Sequence, residues 1–542
     1  MIEAKEVISE KGAVAVGAKR AAQIGVQMLE RGGNAMDAAA AACLATCMLE
    51  PHFVDVGGYV ACAVVLEPKS DRVWSLDANS TAPAAARPDM YQLIPDAEGE
   101  PGINETEYGC HVKGNANVVG PLATGVPGTM AGIGILWERW GQLKWPEIVA
   151  PSQKLLEEGI SYGASLADAI KSKERVIRRF EPTVQHLMPE GRLPAAGDIW
   201  HRRDMEKTLQ RIATAGWRDF YQGDLARKIA DYVSSTGGML TRKDMAEFQP
   251  RVTEPYATSF RGAPVYSAIL PNGGLTSLQI LNMMEAFQPA ADDSVIYWHR
   301  LAEILKLAWR DRFRYLADPE SSPVPVNRLL SKEYAAGRVE TIRQFPDHID
   351  TLAPAPSAAP PHGTVHLSAA DAKGNLVSIT FTQGGNFGSC VTVPGTGIIL
   401  GHGMCRFDPR PGGPNSVGPR KRPLNNVAPL IVRLPDRDAG LGIAGGRRIV
   451  SVSATMAQRV VDFAASSYQA VAAPRIHLEG KEPVEISKSL SASIREKLKA
   501  MGHQLSAVAS VGGVAGCAEV LKKEKKVRAG GNAQAVGVAK VE

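Results

Sequence analysis

The sequence predicts an α+β fold, with helices and strands in separate blocks. Helical apolar spacing dominates between about 130 and 250, as in Trp145–Glu158 and Asp224–Ser235. Strand-like alternation takes over from Thr364. No internal repeat is evident, so a regular βαβ array is not indicated. With 542 residues the chain can bury a large core and has room for two or more domains.

In chain order, residues 12–30 and 34–50 read as two helices. Gly32-Gly33 ends the first, Asn34 is an N-cap for the second, and Pro51 stops it. Residues 57–76 open on glycine and are β-rich: YVACAVVLEP, a turn at Lys69-Ser70-Asp71, then RVWSLD. WHRLAEILKLAWRDRFRYL (298–316) has helical spacing and is closed by Asp318-Pro319. The Pro/Ala-rich stretch 351–361 reads as a linker. Two further helices are expected at about 448–465 and 491–501.

Composition excludes several classes. Hydrophobic residues make up 44% and charged residues 22%, as in an ordinary globular protein. A formal charge of +5 over this length gives no argument for a nucleic-acid or membrane partner. The basic run Lys522-Lys523-Glu524-Lys525-Lys526-Val527-Arg528 reads as a solvated turn between strands. Seven cysteines without CxxC spacing speak for free thiols in a reducing compartment, not a disulfide frame or zinc site. MIEAKEVISEKG has no apolar signal region, and the apolar stretch 38–49 is too short to span a bilayer. The expectation is a cytoplasmic protein with no metal and no cofactor.

The chemistry concentrates at HGTVHLSAADAKGNLVSITFT (362–382). From Thr364, Val365, Leu367 and Ala369 point one way, and Thr364, His366 and Ser368 the other. Asp371-Ala-Lys-Gly374-Asn375 supplies a turn, and 376–382 returns as a second strand. Thr364 thus reads as the first strand residue. Its hydroxyl needs a base, and no Ser-His-Asp set stands out among eleven histidines. Cleavage before Thr364 creates that base, because a free α-amine titrates near 7.7–8.0. Gly363 leaves the preceding carbonyl open to the hydroxyl. The competing reading is an ordinary strand after an ordinary linker. Gly445-Gly446 in GIAGGRRIV can present consecutive N–H groups to an oxyanion, or be a structural turn.

These segments, in order, resemble the γ-glutamyltransferase (γ-glutamyltranspeptidase) family of N-terminal-nucleophile hydrolases. The matching motifs are GGNAMDAAAAA (32–42), GVPGTMAG (125–132), LTRKDMAEFQPRV (240–252), PNGGLTSLQILNMME (271–285), AEILKLAWRDRFRYLADPE (302–320), the hairpin 364–382 and AGGRR (444–448). The resemblance implies a four-layer αββα sandwich. It implies a zymogen that cuts itself at Gly363-Thr364 into a large subunit, 1–363, and a small one, 364–542. These stay together as an intertwined heterodimer, and a homo-oligomer of such heterodimers stays open. By the same carry-over Thr364 is nucleophile and base, Thr382 its hydrogen-bonding assistant, and Gly445 and Gly446 the oxyanion donors. The reaction passes through an acyl-enzyme on Thr364.

The substrate clamp departs from the family. Asn79 stands where the resemblance implies a carboxylate-binding arginine, and Gly384 replaces an asparagine. In GIILGHGMCRFDP, Arg406 takes an acidic position and Gly403 a polar one. Asn425-Asn426 replaces a serine pair. Exchanging an acid for Arg406 repels a substrate ammonium and favours an anionic acyl end. The expected substrate is a small amide of the oxamate, dicarboxylic monoamide or glutaryl type. The alternatives are a glutathione hydrolase or γ-glutamyltransferase with a rearranged clamp, a non-catalytic binding relative, and a structural Arg406–Asp408 pair. His366 is read as a hydrogen bond within the strand layer, and Cys390 and Cys405 as small buried thiols.

Overall fold

The alternating segments pair into two seven-stranded antiparallel sheets in the computed structural model. It describes residues 6–95, 108, 110–340, 342, 362–480, 482–532 and 534–538; the stretch 351–361, read as a linker, lies outside them. The strands are β1 (Glu6–Ser9), β2 (Gly12–Val16), β3 (Val60–Glu67), β4 (Arg72–Asn79), β5 (Arg251–Thr253), β6 (Tyr256–Phe260), β7 (Ala263–Ser267), β8 (His362–Asp371), β9 (Leu376–Gly385), β10 (Leu430–Arg433), β11 (Arg437–Ile443), β12 (Ala515–Leu521), β13 (Lys526–Gly531) and β14 (Gln534–Val538). The first sheet runs β14-β2-β8-β9-β3-β4-β5, the second β1-β13-β12-β11-β10-β7-β6. Strands from before and after Gly363 are interleaved in both.

Side-chain alternation sorts the residues into layers. Val365, Leu367 and Ala369 of β8 pack outward under helices α1 (Lys19–Glu30), α2 (Ala35–Leu49) and α3 (Thr129–Trp140). Val265, Val432 and Leu441 of the second sheet pack under α4 (Gly274–Glu285), α5 (Val295–Tyr315) and α6 (Arg448–Asp462). Ala15, Val60, Cys62 and Val64 meet Ile431, Ala518 and Ala529 between the sheets. The result is the four-layer αββα sandwich, and β9 is buried along its whole length.

One expected helix is corrected. Residues 12–16 are not helical; GAVAV forms β2, and α1 starts only at Lys19. Alanine and valine suit either state. Pairing with β14 and β8 buries all five residues, and tertiary contact overrides local spacing.

The second expected helix forms as read. Asn34 Oδ1 accepts the N–H groups of Met36 and Asp37, both at 3.0 Å, and Asp37 Oδ2 accepts that of Asn34 at 2.9 Å. Asp371 Oδ2 takes the Ala35 N–H at 2.9 Å, while its Oδ1 takes those of Lys373 and Asn375. The β8–β9 turn is thereby pinned to the start of α2. The apolar stretch 38–49 is core, and among the described residues no helix is long and apolar enough to cross a membrane. Of the basic run, residues 522–525 form the turn between β12 and β13; Lys526, Val527 and Arg528 are not turn but the start of β13, where Val527 is buried and Arg528 pairs with the buried Glu519 at 2.6 Å.

Candidate active site

The strand carrying Thr364 begins at His362, two residues earlier than expected, so the Gly363-Thr364 bond lies inside β8. Gly363 pairs with Gly384 and Thr364 with Thr382, which leaves Gln383 as the extra residue of a β-bulge. Gln383 is held from behind: its N–H reaches Phe53 O at 3.1 Å and its Nε2 reaches Pro51 O at 2.5 Å. A Cβ on Gly363 would stand 2.7 Å from Gly385 O, so glycine alone fits there. The Thr364 hydroxyl donates to Thr382 Oγ1 at 3.1 Å. The Thr382 hydroxyl donates to the Gly363 carbonyl oxygen and accepts the Gly384 N–H at 2.8 Å. One hydrogen-bond chain thus joins the expected nucleophile to the carbonyl just before it.

Register places the next residues. Thr364 pairs with Thr382, Thr382 with Val60, and Val60 with Asn79. Paired residues share a face, so Asn79 stands three strands away from Thr364, about 14 Å at ~4.8 Å per strand. Its Nδ2 donates to Pro423 O at 2.8 Å, and its buried Oδ1 has no partner among the described residues. Asn79 therefore presents an acceptor.

Gly384 and Arg406 come together as a pair. Gly384 has φ +103°, and a Cβ there would lie 2.1 Å from His402 Nε2 and 3.3 Å from Arg406 Nη2. His402 Nε2 accepts the Gly385 N–H at 2.6 Å, so the ring proton is on Nδ1, which donates to Val118 O at 3.0 Å. The Arg406 guanidinium lies 5.7 Å from the ring centre of Tyr59, whose N–H donates to Thr382 O at 3.0 Å. Gly403 lies against Ser80. Asp408, the alternative partner for Arg406, is gripped by Arg410 at 2.8 and 2.9 Å. Sequence reasoning singles out neither Tyr59 nor His402; the available signals are the Gly57-Gly58-Tyr59 strand entry and His402 between two glycines.

Asn425 is fully engaged. Its N–H donates to Pro271 O at 2.9 Å, its Nδ2 to Asn272 Oδ1 at 2.8 Å, and its Oδ1 accepts the Val427 N–H at 3.0 Å. Asn272 Nδ2 continues to Asp77 Oδ1, which also takes the Asn79 N–H, so Asn425 and Asn79 share one network. Asn426 Oδ1 accepts from Arg312 of α5 at 2.8 Å.

Gly445 and Gly446 follow β11 directly, with φ +147° and +60°. A Cβ on Gly445 would lie 2.9 Å from Gly512 Cα, so the turn needs its glycines. Neither N–H has an acceptor among the described residues. Leu376, paired with Ala370, lies against Gly440, and His366 lies against Gly442. The same progression along β8 and β11 carries Thr364 towards the 445–446 turn.

His366 is bonded within its layer, to Thr380 Oγ1 and Ser368 Oγ, each at 2.9 Å, and burial pushes its pKa down to about 3. Cys390 and Cys405 are buried in an apolar cluster. Elsewhere His299, Glu303 and His503 bring ligand atoms within 4.8 Å of one another. The Lys306 ammonium bridges Glu303 and Glu482 at 2.8 and 2.9 Å, so this cluster already holds a cation.

Comparison with known proteins identifies the family. The family model described as gamma-glutamyltranspeptidase matches residues 21–541. The acylase ACY 1 proenzyme of Pseudomonas sp. (strain V22) is 32% identical over 510 residues, covering 93% of this chain and 88% of that one. The glutathione hydrolase proenzyme of Escherichia coli (strain K12) is 30% identical over 536 residues, with the same coverage. Cephalosporin acylase from Bacillus halodurans superposes with a TM-score of 0.86 at 27% identity, covering 99% of this chain and 97% of that one. The chain is therefore an enzyme of the gamma-glutamyltranspeptidase family, within the N-terminal-nucleophile hydrolases.

Proposed function

We propose that this protein is a self-processing amidohydrolase that cleaves small amides through an acyl-enzyme on Thr364. The observation that carries the reading is the chain Thr364 Oγ1, Thr382 Oγ1, Gly363 O on a bulged strand. In the first step Thr364 Oγ attacks the Gly363 carbonyl carbon. The Gly363–Thr364 C–N bond breaks, and the hydroxyl proton ends on the departing nitrogen. Thr382 polarises the carbonyl during the attack. Water then hydrolyses the ester, leaving a Gly363 carboxylate and a free Thr364 α-amine. Fragments 1–363 and 364–542 remain associated, because their strands are interleaved.

In the mature enzyme the α-amine takes the hydroxyl proton as Thr364 Oγ attacks the substrate amide carbon. The Gly445 and Gly446 N–H groups donate hydrogen bonds to the developing oxyanion. The proton passes to the leaving amine, the C–N bond breaks, and water or an amine releases the acyl group.

Substrate choice follows from charge. Arg406 beside Gly384 supplies a cation for an anionic acyl end. The Asn79 acceptor suits an N–H and cannot hold a carboxylate. With Asn426, these residues form the proposed acyl pocket for oxamate-like, dicarboxylic or glutaryl amides; Asn425, its amide already bonded to Asn272 and Val427, supports the network behind Asn79 instead of binding the acyl group. The acylase relative supports this reading, and the glutathione hydrolase relative keeps γ-glutamyl amides as the alternative. Seven free cysteines support a reducing, cytoplasmic setting. The test is to assay glutaryl, oxamate and γ-glutamyl amides side by side. Glutaryl or oxamate turnover should lead; γ-glutamyl turnover far above both overturns the substrate assignment.

A further inference from the structure

Arg475 lies between α7 (Ser467–Ala472) and the short strand Ile476–His477. It is 5% exposed and has no carboxylate partner among the described residues. Its Nη1 donates to Val511 O at 3.2 Å and its Nη2 to Val471 O in the last turn of α7. Its Nε has no acceptor among the described residues. Two neutral carbonyls satisfy part of the guanidinium geometry and leave the charge unbalanced. A buried charge in that condition is costly unless a counter-ion joins it. Burial, with the like charge of Arg459 behind it, pulls the Arg475 pKa down to about 10.

Arg475 also lines a cavity of ≈ 260 Å³. Ser487, Ser489, Ser510 and Asn532 also line it, and among the described residues no acidic side chain does. Ser489 and Ser510 are exposed at its mouth. We infer that this cavity binds a small oxyanion, a carboxylate or a phosphate, on the Arg475 guanidinium with the serine hydroxyls at the entrance. The charge-assisted fork of an arginine suits both anions. None of the lining residues belongs to the candidate active site. The link between the two is the loop 509–513: its Val511 carbonyl holds Arg475, and its Gly512 meets Gly445.

The test uses the purified full chain at constant ionic strength. Inorganic phosphate, acetate and citrate are titrated in turn, with chloride as control, and read by thermal unfolding and calorimetry. One oxyanion should raise Tm saturably and bind with a measurable stoichiometry of one; the phosphate and carboxylate arms identify which. Ser510→Glu puts a negative charge at an exposed mouth position and should weaken binding at least tenfold. Arg475→Lys should weaken it as well. A response no larger than that to chloride, or one undiminished in Ser510→Glu, overturns the inference.

Discussion

The imidazole of His402 fills the space that a side chain at Gly384 would need: a Cβ on Gly384 would lie 2.1 Å from His402 Nε2. The ring cannot step aside, because hydrogen bonds to the Gly385 N–H and the Val118 carbonyl fix both of its nitrogens. An asparagine, which the resemblance implies at this position, is therefore sterically excluded here, and Arg406 Nη2 would lie 3.3 Å from a Cβ on Gly384.

Gly384→Asn is expected to be strongly destabilised. Positive φ alone costs a non-glycine residue about 1–3 kcal/mol, and the contact with His402 adds to it. His402→Ala alone should lose about 1–3 kcal/mol by stranding the Gly385 N–H. The double variant should be more stable than the sum of the two losses. Denaturant unfolding of the four proteins measures this coupling, and strict additivity removes the steric explanation.

Reversing the charge at Arg406 should invert substrate choice. Arg406→Glu is expected to shift the ratio of kcat/KM for γ-glutamyl over glutaryl amides upward by tenfold or more, about 1.4 kcal/mol of differential binding. An unchanged ratio would remove Arg406 from the acyl pocket.

Thr364→Ala should give one uncut band on a denaturing gel and no activity. Cleavage at the same bond in that variant would overturn the mechanism. Thr382→Val should still fold, about 1–3 kcal/mol less stable because the Gly384 N–H loses its acceptor. Its self-cleavage should slow at least tenfold in a gel time course, and Thr382→Ser should restore it.

His366 makes stability fall in acid. Its folded pKa, about 3, lies below the ordinary histidine value of 6.5, so the unfolded chain binds the proton first. Above 6.5 the ring is neutral in both states and costs nothing. As pH drops from 6.5 towards 3, the unfolded state gains. The buried His52, also pushed down to about 3, acts in the same direction. His366→Asn should flatten the unfolding free energy against pH between 6 and 4 relative to wild type, without abolishing the slope. Parallel wild-type and variant curves would contradict the buried neutral ring.

The amino-acid sequence alone determined whatever depends on neighbours along the chain. The alternation around Thr364, the capping of α2 by Asn34, the Lys69–Asp71 turn and the basic turn between β12 and β13 are local patterns, and local chemistry specifies them. Thr382 was named as the partner of Thr364 only through the family resemblance, and the hairpin register brings the two together. Tertiary structure decided the rest. It turned 12–16 from helix to strand, because β14 and β8 were waiting on either side. It placed Gln383 in a bulge at the junction and His402 under Gly384. It showed that Asn79 offers an oxygen, because its nitrogen is spent on Pro423, 344 residues away. It left Arg475 buried with no carboxylate partner among the described residues. Spacing along the chain cannot report contacts that exist only after the two sheets close on one another.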